Sequence, residues 1–196
     1  MRFALNGVYV DAAATITSGD EIAFIPPVSG GAGERRIIEL RDEPFGAELA
    51  TELAAQLATP ADGAIVAFLG VTRETPGTPA PGQEAEAARH AGRTVDELEY
   101  EAHAPMALAV LEAIAREIGE RFGVERLAIV HRTGAVPLGE PSVAIVACSP
   151  HRDAAFEAAR YAIDETKARA PIWKAEQFRD GHVWIGQPAR SGPESG

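Results

Sequence analysis

The chain has 196 residues, 46% hydrophobic and 24% charged, with a formal net charge of −11, which is enough for one sizeable core plus appendages. The acidic balance argues against a nucleic-acid partner, whose phosphates need a basic face, and makes any local cluster of Lys, Arg and His informative. No apolar run is long enough for a membrane span, Met1-Arg-Phe-Ala-Leu-Asn-Gly7 lacks the apolar core of a secretory signal, and the single Cys148 staples nothing, so the expected compartment is the cytoplasm.

In chain order, Leu5 to Asp11 and Ser18 to Ile25 read as two short strands separated by a turn-rich connection, ending in Pro26-Pro27-Val28-Ser29-Gly30-Gly31. Two strands without a covering helix bury too little to fold alone. Residues 32–36 read as a linker. A second unit opens with the strand Ile37-Ile38-Glu39-Leu40, and after Pro44 comes a helix with Leu49, Leu53 and Leu57 on one face. Gly63 to Gly70 is a continuous apolar strand whose exit, Val71-Thr72-Arg73, leads into a stretch from Glu74 to Gly92 rich in Pro, Gly, Ala and Glu, expected to be a mobile loop. Leu98 and Tyr100 alternate with acids over Val95 to Glu101, which predicts a strand with one wet face. Leu108, Leu111, Ile114, Ile118 and Phe122 mark a long helix closed by Gly123.

Strands over Arg126–His131 and Ser142–Cys148 follow, joined by a turn-like Val136 to Pro141, and Cys148 is expected to be a buried thiol. Ser149 as N-cap and Pro150 at the first helical position would make His151 and Arg152 project from a helix N-terminus, where free N–H groups and the dipole favour an anion. That helix should run to Lys167 and stop before Pro171. The path bends there, so Lys167 and Lys174, seven apart around Pro171 and Trp173, can converge on one pocket from a helix end and the next strand. Paired ammonium groups favour an anionic ligand and depress each other's pKa, although two solvated surface lysines would give the same spacing. Ile172–Phe178 and Val183–Ile185 read as a hairpin, followed by a flexible tail over 188–196. Strands and helices interleave without strict alternation, so the expected class is α+β. His90, His103, His131, His151 and His182 show no metal-ligand spacing, and a structural role is expected for the His131-Arg132 pair.

Gly63-Ala-Ile-Val-Ala-Phe-Leu-Gly70, Arg73, Leu98-Glu-Tyr-Glu-Ala102, Pro105-Met106, His131-Arg132, His151-Arg152, Phe156-Glu157-Ala158 and Lys167-Ala-Arg-Ala-Pro-Ile-Trp-Lys174 occur in this order. With that set the chain resembles the large, catalytic subunit of molybdopterin synthase, the MoaE family, over residues 37–187. Asn6-Gly7, Gly19 to Pro27 and Gly30-Gly31 resemble the C-terminal half of that enzyme's small, ubiquitin-like sulfur carrier (MoaD-like) over residues 1–31. The resemblance implies an α/β hammerhead with an additional antiparallel β subdomain, preceded by a partial ubiquitin-like β segment.

It also implies sulfur transfer from the thiocarboxylated small subunit to cyclic pyranopterin monophosphate, forming the molybdopterin dithiolene with neither metal nor cofactor. Carried over position by position, Lys167 and Lys174 take the catalytic roles, Lys167 nearest the thiocarboxylate and Lys174 on the pterin side. Val71, Thr72, Arg73, His151, Arg152, Ala175 and Glu176 line the substrate site, while Arg169 is left to local salt bridges. Gly30-Gly31 matches the carrier's terminus but is internal, so Gly31 can bear a thiocarboxylate only after cleavage before Ala32. A scaffold that binds the carrier tail without turnover is the competing reading, and a conjugation factor would need an adenylating partner.

One geometric expectation is independent of family. A straight helix separates residues 151 and 167 by roughly 24 Å. One small ligand touches both groups only if the His151-Arg152 pair comes from a second copy of the chain, which predicts a twofold homodimer; the resemblance places that dimer within a heterotetramer.

Overall fold

The computed structural model describes residues 2–5, 8–10, 19, 22–25, 35–75, 88, 94–178 and 181–185. It divides into two units, Met1–Glu34 and Arg35–Gly196. Gly30, Gly31, residues 32–34, most of the expected loop between 74 and 92, and the 188–196 tail lie outside the described residues.

The first unit holds an antiparallel sheet of β1 (Arg2–Leu5), β2 (Val8–Val10) and β3 (Ile22–Ile25) in the order β2-β1-β3. The single strand expected over Leu5 to Asp11 is in fact the end of one strand and the whole of the next. Leu5 pairs with Val8, with Asn6 and Gly7 between them. Asn-Gly is the favoured pair for a two-residue hairpin, because both positions tolerate positive φ.

In the second unit, β4 (Arg35–Arg41), α1 (Glu48–Leu57) and β5 (Ala64–Val71) come first, β4 opening two residues before the apolar run. Then come β6 (Val95–Ala102), α2 (Ala104–Phe122), β7 (Arg126–Arg132), β8 (Gly134–Pro137) and β9 (Pro141–Ser149). The series closes with α3 (Arg152–Arg169), β10 (Ile172–Phe178) and β11 (Gly181–Ile185).

A central sheet runs β4-β7-β9-β5, with β4 parallel to β7 and the other pairs antiparallel. Its strands alternate between two apolar faces. Leu127, Ile129, Val143, Ile145 and Ala147 pack on Leu111, Ile114 and Ile118 of α2 and on Ala158, Ala159 and Ala162 of α3. Ala128, Val130, Ala144, Val146 and Cys148 pack on Leu49, Leu53 and Leu57 of α1. Cover on both faces explains why β7 and β9 read as continuous apolar runs. Each fully buried Leu or Ile stabilises this arrangement by about 1.5–3 kcal/mol. The alanines of α3 let that helix lie close to the sheet. Gly123, at φ 67°, ends α2 in the left-handed conformation its side chain-free backbone permits.

The second sheet, β11-β10-β6-β8, is antiparallel throughout and has a small core of Val95, Leu98, Val136 and Phe178. The mixed architecture is the expected α+β class. Strand β8 corrects the turn expected from Val136 onward. Four residues bounded by Gly134 and Pro137 carry no alternation to read, and as an edge strand β8 tolerates its proline.

The start of α3 is a second correction. His151, not Ser149, occupies the N-cap, with extended φ −126° and ψ 138°. Ser149 is still in β9, where its carbonyl accepts from Gly63 N (3.1 Å), and Pro150 passes so close to Gly63 that a Cβ there would lie 2.5 Å from the Pro150 carbonyl oxygen. The Ser149-Pro150 backbone is thus committed to the sheet edge, and helical geometry begins only beyond it. Among the described residues, no helix is long and apolar enough to cross a membrane.

Candidate active site

The chemistry-bearing residues gather where β5 ends, β9 begins and α3 stops. Helix α3 packs on β9 and β5 with buried Ala155, Ala158, Ala159, Ala162 and Thr166, so the next residue, Lys167, turns outward at its last turn. Ala170 is extended (φ −70°, ψ 130°), as expected before a proline, and the Pro171 carbonyl accepts from His103 N at 3.2 Å. This anchored bend delivers the chain into β10. Arg169 bonds Glu117 (2.7 Å) and Glu165 (3.0 Å), the local salt-bridging role expected of it.

Lys174 lies opposite Tyr100 in the β10–β6 ladder, and Glu176 opposite Leu98. Residues two apart share a strand face. Lys174 Nζ is accordingly 3.0 Å from Glu176 Oε1, with the lysine side chain 24% exposed and the glutamate 1%. Glu176 was expected to line the site, and the structure makes it the buried counter-ion of Lys174. Ala175, pointing to the opposite face, is fully buried.

Behind this pair stands Tyr100, whose ring meets His131 edge to face at a centroid distance of 5.0 Å and 75°. Burial raises the Tyr100 pKa, and the charge of Glu176 adds to that. His131 is buried in β7, with Nδ1 2.8 Å from the Arg132 carbonyl oxygen. A carbonyl only accepts, so Nδ1 carries the proton. Burial pushes the imidazole down to about 4, and the positive charge of Lys167 pushes in the same direction. The charge of Lys167 acts on His131, and that of Glu176 on Tyr100, the two rings that meet edge to face.

Tyr100 also reaches the exit of β5. Its hydroxyl donates to Ser142 Oγ, which donates to the Gly70 carbonyl oxygen, both at 3.3 Å. Val71 is 51% exposed. Thr72 is buried and clamped by the β8–β9 turn: its N–H donates to the Glu140 carbonyl and its carbonyl accepts from Gly139 N, each at 2.9 Å. Buried Arg132 holds the Glu140 carboxylate and donates to the Ala135 carbonyl, so the His131-Arg132 pair supports the site from beneath. Thr72 Oγ1 is buried with no hydrogen-bond partner among the described residues. Arg73 is exposed just beyond.

His151 and Arg152 are at the other end of α3. Both are exposed, and the Arg152 Nε–Asp153 contact of 3.8 Å joins side chains 82% and 89% exposed, an ion pair that fixes little. The Lys174–Glu176 pair thus shares a strand face with Tyr100, the charge of Lys167 acts on the neighbouring His131, and Val71, Thr72 and Arg73 follow the Gly70 carbonyl that Ser142 holds, whereas His151 and Arg152 stand at the far end of α3. Tyr100 and Ser142 escaped the sequence reading. The available signal was a phenol two residues beyond Leu98, on the core-facing side of a strand.

This architecture, two helices and one helix on opposite faces of a mixed sheet with an antiparallel sheet carrying a second lysine, defines a class. The MoaE protein family model matches residues 40–169, and the ThiS family model matches residues 1–31. The chain belongs to the MoaE family. It is 39% identical over 160 residues to the molybdopterin synthase catalytic subunit of Oryza sativa subsp. indica, covering 82% of this chain and 76% of that one. With the Bacillus subtilis (strain 168) molybdopterin synthase catalytic subunit it shares 42% identity over 124 residues, covering 63% and 70%. The crystal structure of molybdopterin synthase from Staphylococcus aureus superposes with a TM-score of 0.64 at 34% identity, covering 76% of this chain and 96% of that one.

Proposed function

We propose that this enzyme of molybdenum cofactor biosynthesis transfers sulfur from the C-terminal thiocarboxylate of a small carrier protein to cyclic pyranopterin monophosphate, building the molybdopterin dithiolene. Each delivery breaks the carrier's C–S bond, and water restores its terminus as a carboxylate. Opening the cyclic phosphate requires positioned cations and a proton source. Lys167 supplies the exposed cation nearest the thiocarboxylate. Lys174, held by buried Glu176, acts on the pterin side, and Val71, Thr72 and Arg73 at the β5 exit line the substrate, while Ala175, buried on the other face of β10, can contribute only through its backbone. The observation that carries the reading is the Lys174–Glu176 pair on the Tyr100 face of the sheet, with Tyr100 in contact with buried His131 and the charge of Lys167 acting on that imidazole, on an otherwise acidic protein.

Helix α3 is uninterrupted from Arg152 to Arg169, so His151 and Arg152 complete this site only from a second copy, as a homodimer with two composite sites. The carrier partner is a protein of the kind matched over residues 1–31; Gly31 of this chain itself serves only if the bond to Ala32 is cut, which mass spectrometry of the cellular protein tests. Purified chain, thiocarboxylated carrier and cyclic pyranopterin monophosphate are mixed and dithiolene is measured. Turnover that vanishes in Lys167→Ala and Lys174→Ala supports the reading. Tight carrier binding without turnover in the wild type overturns it in favour of a scaffold.

A further inference from the structure

Lys167 and Lys174 belong to different layers: Lys167 ends the helix packed on the central sheet, while Lys174 is in a strand of the antiparallel sheet. The covalent link between them is the bend through Ala170 and Pro171, which fixes the path of the backbone but not the angle between the layers. Tyr100 joins the layers. It is a residue of β6, directly opposite Lys174 in the β10–β6 ladder. Its ring packs on His131 of β7, and its hydroxyl bonds Ser142 of β9, which in turn holds the Gly70 carbonyl at the root of Val71-Thr72-Arg73. One side chain therefore touches a strand of the lysine-bearing antiparallel sheet and two strands of the central sheet.

We propose that Tyr100 is a positioning residue for sulfur transfer, its ring setting the separation of the two lysines through His131 and its hydroxyl setting the β5 exit through Ser142. This rests on the reading that Lys167 and Lys174 act on the substrate. The two halves of the side chain have separable consequences. Losing the ring contact lets the layers shift, and a displacement of about 1 Å at reacting groups costs up to about a hundredfold in rate. Losing only the hydroxyl frees the β5 exit and weakens substrate binding by the worth of one neutral hydrogen bond, about threefold to tenfold in KM.

Steady-state kinetics of the full chain with thiocarboxylated carrier and cyclic pyranopterin monophosphate tests both halves. Tyr100→Phe is expected to retain kcat and to raise KM, Ser142→Ala to raise KM equally, and the double variant to add nothing further, because both remove the same link. Tyr100→Leu is expected to lose at least about tenfold in kcat, a loss the Phe variant rescues, with near-ultraviolet circular dichroism showing a folded chain. Unchanged KM in Tyr100→Phe and Ser142→Ala, or additive effects in the double variant, overturns the proposal, as does a folded Tyr100→Leu with wild-type kcat. Should Tyr100→Leu not fold, the Phe and Ala cycle decides alone. Lys167→Ala and Lys174→Ala run alongside: turnover retained in those two refutes the lysine roles, whereas turnover lost there and untouched in the Tyr100 and Ser142 variants refutes only the positioning role.

Discussion

Mixing two crippled variants should restore activity. Lys167 and Arg152 stand at opposite ends of one helix, and between residues 151 and 167 an α-helix rises roughly 24 Å. Side chains on that helix project outward from its axis, so extending both leaves most of the gap. If the substrate needs both cations, each site draws Lys167 from one protomer and Arg152 from the other. A Lys167→Ala homodimer then has two sites without the amine, and an Arg152→Ala homodimer has two without the guanidinium. In a mixed dimer one site carries both lesions and the other carries none. Random reassortment of equal amounts makes half the dimers mixed, so the mixture recovers about a quarter of the wild-type kcat/KM. The assay is dithiolene formation at substrate concentrations below KM, after co-refolding or co-expression of differently tagged chains, with the mixed species isolated by tandem affinity. An isolated mixed dimer should reach about half the wild-type value, since one of its two sites is intact. Activity no higher than the average of the two parent variants would refute the composite site, because a site made within one chain carries a lesion in every arrangement.

The two lysines should differ in what they do for stability. Lys167 is exposed, so Lys167→Ala should leave the thermal midpoint within a degree or two, its effect staying within about 0.5 kcal/mol. Lys174→Ala strips an ion-pair partner from the buried Glu176 carboxylate and should cost about 3 kcal/mol, the low end for breaking a buried pair because the amine is partly exposed. In a chain of this size that is a fall of roughly 6–12 °C by calorimetry; equal midpoints for the two variants would contradict the pairing. On the acid side, the hydrogen bond from Arg169, followed by that from Tyr161, lowers the Glu117 pKa from 4.5 to about 2. A carboxyl with a depressed folded pKa stabilises the fold above its unfolded value and loses that contribution as pH falls from about 4.5 toward 2. Arg169→Ala should therefore be less stable than wild type at pH 7, with the difference shrinking toward pH 2 in thermal melts.

What the sequence disclosed followed from periodicity and punctuation. The leucines of α1, the stripe of α2 closed by Gly123, and the bend at Pro171 each announce themselves through residues whose packing or φ restriction acts locally. The lysines were legible for the same reason, since a proline between two cations constrains where both can point. What escaped depends on pairing across the fold. Strand β8 exists because β6 offers an edge to it, and the N-cap of α3 moved to His151 because Gly63 ties down Ser149. Glu176 is assigned to the substrate site only through the family resemblance, because nothing local says that its side chain is buried against Lys174. Tyr100 was hidden likewise: its partners, His131 and Ser142, are 31 and 42 positions away in the chain.

The ion pair also divides the work between the lysines. Lys174 with Glu176 is close to a neutral unit, so it adds little net positive potential for an anion arriving from water. Lys167 is exposed and has no ion-pair partner among the described residues. If the proposed reading holds, the long-range attraction of an anionic tail on a protein of net charge −11 falls to Lys167 and, where a second copy completes the site, to Arg152, whereas Lys174 acts at contact, where its orientation counts more than its field. Raising ionic strength should accordingly slow carrier association through the exposed cations while affecting the step at Lys174 much less, because screening acts on charges in water and more weakly on a partly buried pair. A salt effect confined to kcat/KM, absent from kcat at saturating carrier, is the signature of that division; a parallel fall in kcat would place Lys174 in open solvent and remove the distinction between the two amines.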